Sequence, residues 1–102
     1  MAHIVITAPA DADSAYIIND LDEKAGWTVA DRYEADFDKI YDRLEMFPQS
    51  GAPRPALGRH VRICVVSPYV ILYEYLEADD AVMVLRLVHG RRRITRKTVR
   101  GG

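Results

Sequence analysis

The joint Ser67-Pro68 constrains the fold of this chain more than any other pair of residues. It divides two runs of β formers, residues 60–66 and 69–77, and leaves room only for a tight reversal, so the two runs must pair as an antiparallel hairpin. A third run, residues 81–89, follows the turn Glu77-Ala78-Asp79-Asp80 and turns the hairpin into a meander. Alternation along the middle run puts Tyr69, Ile71, Tyr73 and Tyr75 on one face and Val70, Leu72, Glu74 and Leu76 on the other. Both faces are rather apolar, which makes one of them a candidate partner surface.

The segments before the meander supply a cover for it. Residues 2–7 are a short β-branched run ending at Ala8-Pro9, which suits a first strand feeding a helix with proline in its first turn. From about Ala10 to Ala25, Ala10, Ser14, Ile17, Ile18, Leu21 and Ala25 keep helical spacing, with Gly26 as the C-terminal cap. A second helix is expected from an N-cap at Thr28, its stripe running through Val29, Tyr33, Phe37, Ile40, Leu44 and Phe47 up to Pro48. Only Gly26-Trp27 lies between the helices, so they form an antiparallel hairpin, with Trp27 expected to staple it. The order is β-α-α-β-β-β: an α+β fold in which an N-terminal strand and a helical hairpin pack on an antiparallel sheet.

Composition narrows the class. At 102 residues the chain reads as one domain, residues 1–102, with a basic tail from about 91 to 102. Residues 2–7 lack the charged and long apolar regions of a secretion signal, and the apolar stretch Ile63 to Leu76 is broken by Ser67, Pro68 and Glu74. No membrane contact and a cytoplasmic location are therefore expected. One cysteine, Cys64, excludes an intrachain disulfide and reads as a small buried thiol. A metal site built from His60 and Cys64 fails on geometry, because four strand residues span about 13 Å. Neither metal nor cofactor is expected.

Charge is divided unevenly along the chain. Residues 1–47 carry 11 acids against 4 bases, whereas residues 86–102 hold 7 of the 14 Lys and Arg residues and no acid. Such a tail concentrates positive field at one edge of a fold, where phosphate or an acidic surface is the natural counterpart. The candidate contact residues are Arg86, His89, Arg91, Arg92 and Arg93, with Arg59 and Arg62 as additions to the same patch. Plainer roles stand beside these. Arg86 lies in an apolar strand, where it either snorkels at the sheet edge or pairs with an acid, and His89 suits a hydrogen-bonded strand end.

The loop Phe47-Pro48-Gln49-Ser50-Gly51, Leu57-Gly58 ahead of Arg62, the segment Tyr69-Val70-Ile71-Leu72-Tyr73 and the ending Leu85-Arg86-Leu87-Val88-His89-Gly90-Arg91-Arg92 carry a resemblance. In order and spacing, over about residues 3–94, they resemble the RelE/ParE superfamily of toxins from bacterial type II toxin-antitoxin systems. The superfamily holds RelE-like nucleases that cut messenger RNA on the ribosome and ParE-like poisons of DNA gyrase. RNA cleavage requires a base for the 2′-hydroxyl and an acid for the leaving oxygen, and arginine exchanges no proton near neutral pH. His89 titrates but needs a second group; Gly90 follows it, no aromatic residue occurs after Tyr75, and Lys97 is the one lysine of the tail. The ending His89-Gly90-Arg91-Arg92 also looks more like the ParE branch. The resemblance thus implies a non-enzymatic gyrase poison without catalytic residues, engaging gyrase or its bound DNA through the basic end. It also implies a ParD-like antitoxin as hetero-oligomeric partner, for which a groove between helical hairpin and sheet offers room. Ribosome-dependent RNA cleavage is the alternative.

Overall fold

The computed structural model describes residues 1–100 and orders them as β1 (His3–Ile6), α1 (Ala8–Ala25), α2 (Trp27–Met46), β2 (Ala52–Pro53), β3 (Val61–Val66), β4 (Tyr69–Leu76), β5 (Ala81–His89) and α3 (Arg96–Val99). The strands form one sheet in the order β1-β5-β4-β3-β2. The meander β3-β4-β5 is antiparallel, as its tight joint requires, with Val66 opposite Tyr69 and Tyr69 opposite His89. Two pairings go beyond expectation. β1 crosses over through the helices and joins β5 in parallel, which makes the sheet mixed. The loop before β3 contributes β2, a two-residue edge strand paired with Arg62 and Ile63.

The helix ends show where local rules hold and where context overrides them. Thr7 caps α1, its hydroxyl accepting from the Ala10 amide at 3.4 Å while donating to the Val84 carbonyl at 2.8 Å, so one side chain starts the helix and ties it to β5. Gly26 ends α1 and also serves as N-cap of α2, at φ +89°. Thr28 is therefore not the cap: with a single residue between the helices, α2 has already begun at Trp27. Nor does Trp27 staple the hairpin, since it is 70% exposed.

Each face of the sheet has its own core. On one face Ala10 and Ile17 of α1 and Phe37 and Leu44 of α2 pack with Cys64, Tyr69, Ile71, Tyr73, Val82, Val84 and Leu87. Along α2 the buried positions Ala30, Phe37 and Leu44 recur every seven residues, the period of a stripe facing one surface. On the other face Val61, Val70, Leu72 and Val88 are covered by Leu57 of the loop and by Ile94 and Val99 of the tail. The second apolar face is partly covered by the chain's own loop and tail, whereas between hairpin and sheet the centre is packed and clefts remain at its margins, one beside Tyr69 and one beside Tyr33 and Val66.

A register shift in β5 decides which residues reach which face. Leu72 pairs with Arg86 and Tyr73 with Val84, leaving Leu85 as a bulged extra residue. Strict alternation would put Arg86 beside Val82 and Val84 under the helices. The bulge instead sends Leu87 into that core and pairs Arg86 with Leu72, whose side chain belongs to the opposite face.

Candidate functional site

β5 ends at His89, and the chain then turns sharply under backbone control. The Gly90 amide donates to the Pro68 carbonyl at 2.7 Å, and a Cβ at Gly90 would lie 3.0 Å from that oxygen. The Arg92 amide donates to the His89 carbonyl at 2.9 Å, and the Arg91 amide donates to His89 Nδ1 at 3.1 Å. His89 thus spends one ring nitrogen on holding the turn, while its ring stands edge-on to Tyr69 with centroids 5.7 Å apart. Arg91, Arg92 and Arg93 project from this turn, all exposed.

Between the end of β5 and α1 lies a cleft of about 270 Å³ lined by Asp13, Tyr16, Asp20, Tyr69, His89 and Arg92, among others. Burial raises the Tyr69 phenol above its ordinary pKa, with nearby Tyr33 and Asp20 adding to the shift, so it is not poised as a base near neutral pH. Arg92 lines this cleft with two carboxylates, and neither it nor Arg91 nor Arg93 makes an ion pair with any described residue.

The other arginines expected in the patch stand apart from the triplet: Arg86 is buried, while Arg59 and Arg62 line one small cleft with His60, Tyr75 and Glu77. Arg86 is 8% exposed and grips Asp13 of α1 with two parallel bonds, Nε–Oδ2 at 2.6 Å and Nη2–Oδ1 at 2.9 Å. Its remaining Nη1 donates to the Thr98 carbonyl of α3 at 2.8 Å, and Asp13 also accepts the Leu87 amide at 3.1 Å. Of its two open roles, pairing with an acid is the one the fold uses, and Arg86 lies buried between α1 and the tail. Arg62 donates to the Gln49 and Gly51 carbonyls at 2.9 and 2.8 Å. Its guanidinium pins the loop after α2, where Tyr73 Oη also accepts from the Gly51 amide at 2.9 Å and donates to the Pro48 carbonyl at 2.8 Å. Arg59 is exposed but does not join the triplet after His89. It precedes β3, whose first residue pairs with Glu74, while the His89 end of the sheet lies at Tyr69.

Arg59 has different company. The tail crosses the back of the sheet, α3 is capped by reciprocal bonds between Thr95 and Thr98, and Arg96 Nε donates to the Ala56 carbonyl at 3.1 Å. Arg59, Arg96 and Arg100 then line one cleft of about 350 Å³ with Leu57, Val61 and Glu74. Arg96 and Arg100 had been counted in the basic tail but not singled out. A fourfold spacing on a final helical turn, following a strand that returns to a covered face, was the available signal. Among the described residues no group of three or more His, Cys, Asp or Glu side chains is placed to hold a metal.

With this geometry in hand, comparisons with known proteins agree with one another. A family model described as the ParE toxin of the type II toxin-antitoxin system parDE matches residues 4–94. The chain is 31% identical to Toxin ParE3 of Caulobacter vibrioides over 91 residues, which cover 89% of each protein. Its fold matches a solved chain of the chromosomal ParDE TA system from P. aeruginosa with a TM-score of 0.73, at 21% identity, covering 87% of this chain and 96% of that one.

Proposed function

The chain belongs to the ParE toxin family of type II toxin-antitoxin systems, and from that premise we propose that it arrests growth in the cytoplasm by poisoning DNA gyrase. The observation that carries this proposal is the exposed triplet Arg91, Arg92 and Arg93, held on a turn whose one imidazole already accepts a backbone hydrogen bond. Poisoning requires a surface that binds one state of the target better than another, and it needs no proton transfer. In this proposal Arg91, Arg92 and Arg93, with His89 behind them, engage gyrase or the DNA it holds. Arg86 and Arg62 act from inside, by fixing the tail and the loop, and Arg59 adds a second point of contact at the far end of the sheet.

A ParD-like antitoxin is the proposed partner in a hetero-oligomeric complex. Its proposed docking surface is the acidic helical side, where Tyr16, Trp27, Met46 and Phe47 stay exposed and clefts run along the boundary between hairpin and sheet. Apolar side chains displayed singly among carboxylates suit an amphipathic segment carrying basic residues.

The experiment is a gyrase supercoiling and cleavage assay with purified protein, compared with a variant in which Arg91, Arg92 and Arg93 are all glutamine. The native protein is expected to trap cleaved DNA and the variant to lose at least tenfold in potency while remaining folded. A native protein that leaves gyrase untouched but cuts ribosome-bound message would overturn the proposal in favour of RNA cleavage.

A further inference from the structure

The two sides of the molecule differ in what they could hold. All the large apolar side chains that stay exposed, Met1, Val5, Ile6, Tyr16, Trp27, Met46, Phe47, Val65 and Leu76, lie outside the loop of residues 48–60 and outside the tail beyond His89. Loop and tail instead display Arg54, Arg59, Arg91, Arg92, Arg93, Arg96, Lys97 and Arg100, all exposed. None of these cations is ion-paired among the described residues. Protein partners anchor through buried aromatic and aliphatic side chains at the centre of the interface; loop and tail display none, and the back face exposes only scattered aliphatics such as Val65 and Leu76 beside them. A partner bound by charge alone, through release of counterions, is a nucleic acid.

We infer that Arg59, Arg96 and Arg100 form a phosphate-binding cleft on the back of the sheet that seats the backbone of duplex DNA directly, with Arg91 and Arg93 as further phosphate contacts. This deepens the gyrase proposal and rests on it for biological meaning: of the two counterparts open to the basic end, it assigns the DNA. Three features support it. The arginines are pre-positioned, since Ile94 and Val99 are packed in the back core, Arg86 holds the Thr98 carbonyl, and Arg96 is bonded to Ala56. Ordering costs are therefore largely met before binding. The cleft of Arg59, Arg96 and Arg100 has Glu74 as its one lining carboxylate, whereas the α1 acids Asp13 and Asp20 lie by Arg92 at the other end of the tail. The surface also lacks the aromatic platform on which unpaired bases stack, which favours a duplex over a single strand.

The test is fluorescence anisotropy of a labelled duplex of arbitrary sequence titrated with the full chain, without gyrase, across salt concentrations. Three to five phosphate contacts give a logarithmic salt slope of about −3 to −5, so affinity falls roughly a hundredfold between about 50 and 200 mM salt. Two unrelated duplexes should bind equally. R59Q together with R100Q should flatten the slope by about 2 while leaving the circular dichroism unchanged. R91Q with R93Q, which touches neither the cleft nor the back core, should flatten it separately. No binding at the lowest salt, an unchanged slope in both double variants, or tighter binding of a poly-glutamate chain or of single-stranded DNA would overturn the inference. Supercoiling assays stand apart: duplex binding with no effect on gyrase would sink the gyrase proposal alone, and gyrase poisoning without duplex binding would sink the cleft alone.

Discussion

The two faces of the sheet are buried by opposite strategies. The front is covered by two helices of 18 and 20 residues whose large side chains, Phe37 and Leu44 among them, interlock with Tyr69, Ile71 and Tyr73. The back is covered by a loop and a tail that contribute little more than Leu57, Ile94 and Val99. The difference teaches that the two covers serve different ends. The front core supplies most of the buried apolar area and so most of the stability. The back core is large enough only to hold a strip of arginines against the sheet. Arg86 joins the two layers, because one guanidinium grips Asp13 of α1 and a carbonyl of the tail.

The largest effect should come from cutting that link. Asp13→Ala leaves the Arg86 charge buried without its counterion, and breaking such a pair costs roughly 3–5 kcal/mol. Urea unfolding should show this as a large drop in midpoint, and loss of only a few tenths would mean that the layers are held independently. Next comes a direct contrast of the two cores. Leu44→Ala empties a fully buried site and should cost roughly 2–5 kcal/mol of global stability. Ile94→Ala, at a half-buried site, should cost about 1 kcal/mol and act chiefly by releasing the tail. Amide hydrogen exchange separates the outcomes: faster exchange throughout the sheet for the first, and from Arg92 to Arg100 alone for the second.

The last effect is absent near neutral pH, develops only at alkaline pH and should arise on the front. Burial, aided by Asp38, pushes the Tyr41 phenol up to about 12, and burial also raises Tyr69 and Tyr73, whereas no tyrosine belongs to the back core. The unfolded chain releases its Tyr41 proton near 10.0, the ordinary value, and the folded chain holds it until about 12. Stability is therefore intact below pH 10 and declines as pH rises from about 10 to 12. Tyr41→Phe should make that decline shallower in denaturation measured across this range.

The same contrast explains what could be read from the sequence. The front was legible because its signals are periodic: the alternation of Tyr69, Ile71 and Tyr73 and the stripe through Phe37 and Leu44 each state a face. Ser67-Pro68 and Gly26 fixed the two hairpins by leaving no length for anything else. The back was not legible, because it depends on pairings that no local pattern encodes. Arg86 and Asp13 lie 73 positions apart, so no local pattern joins them. Thr28 was passed over as cap because the linker had already been used up. The patch expected from seven arginine and histidine positions separated once register was known: Arg91, Arg92 and Arg93 stand together beside His89, Arg86 and Arg62 turn inward, and Arg59 joins Arg96 and Arg100.

Leu85 carries a lesson about inheritance. Because β5 holds one residue more than its neighbour requires, its chemistry depends on counting as much as on identity. A gene that lost this single codon would lose the leucine and the bulge together, leaving Arg86 opposite Leu72 and Leu87 opposite Ile71; a strand that kept the residue but paired without the bulge would instead deliver a guanidinium into oil and a leucine into water.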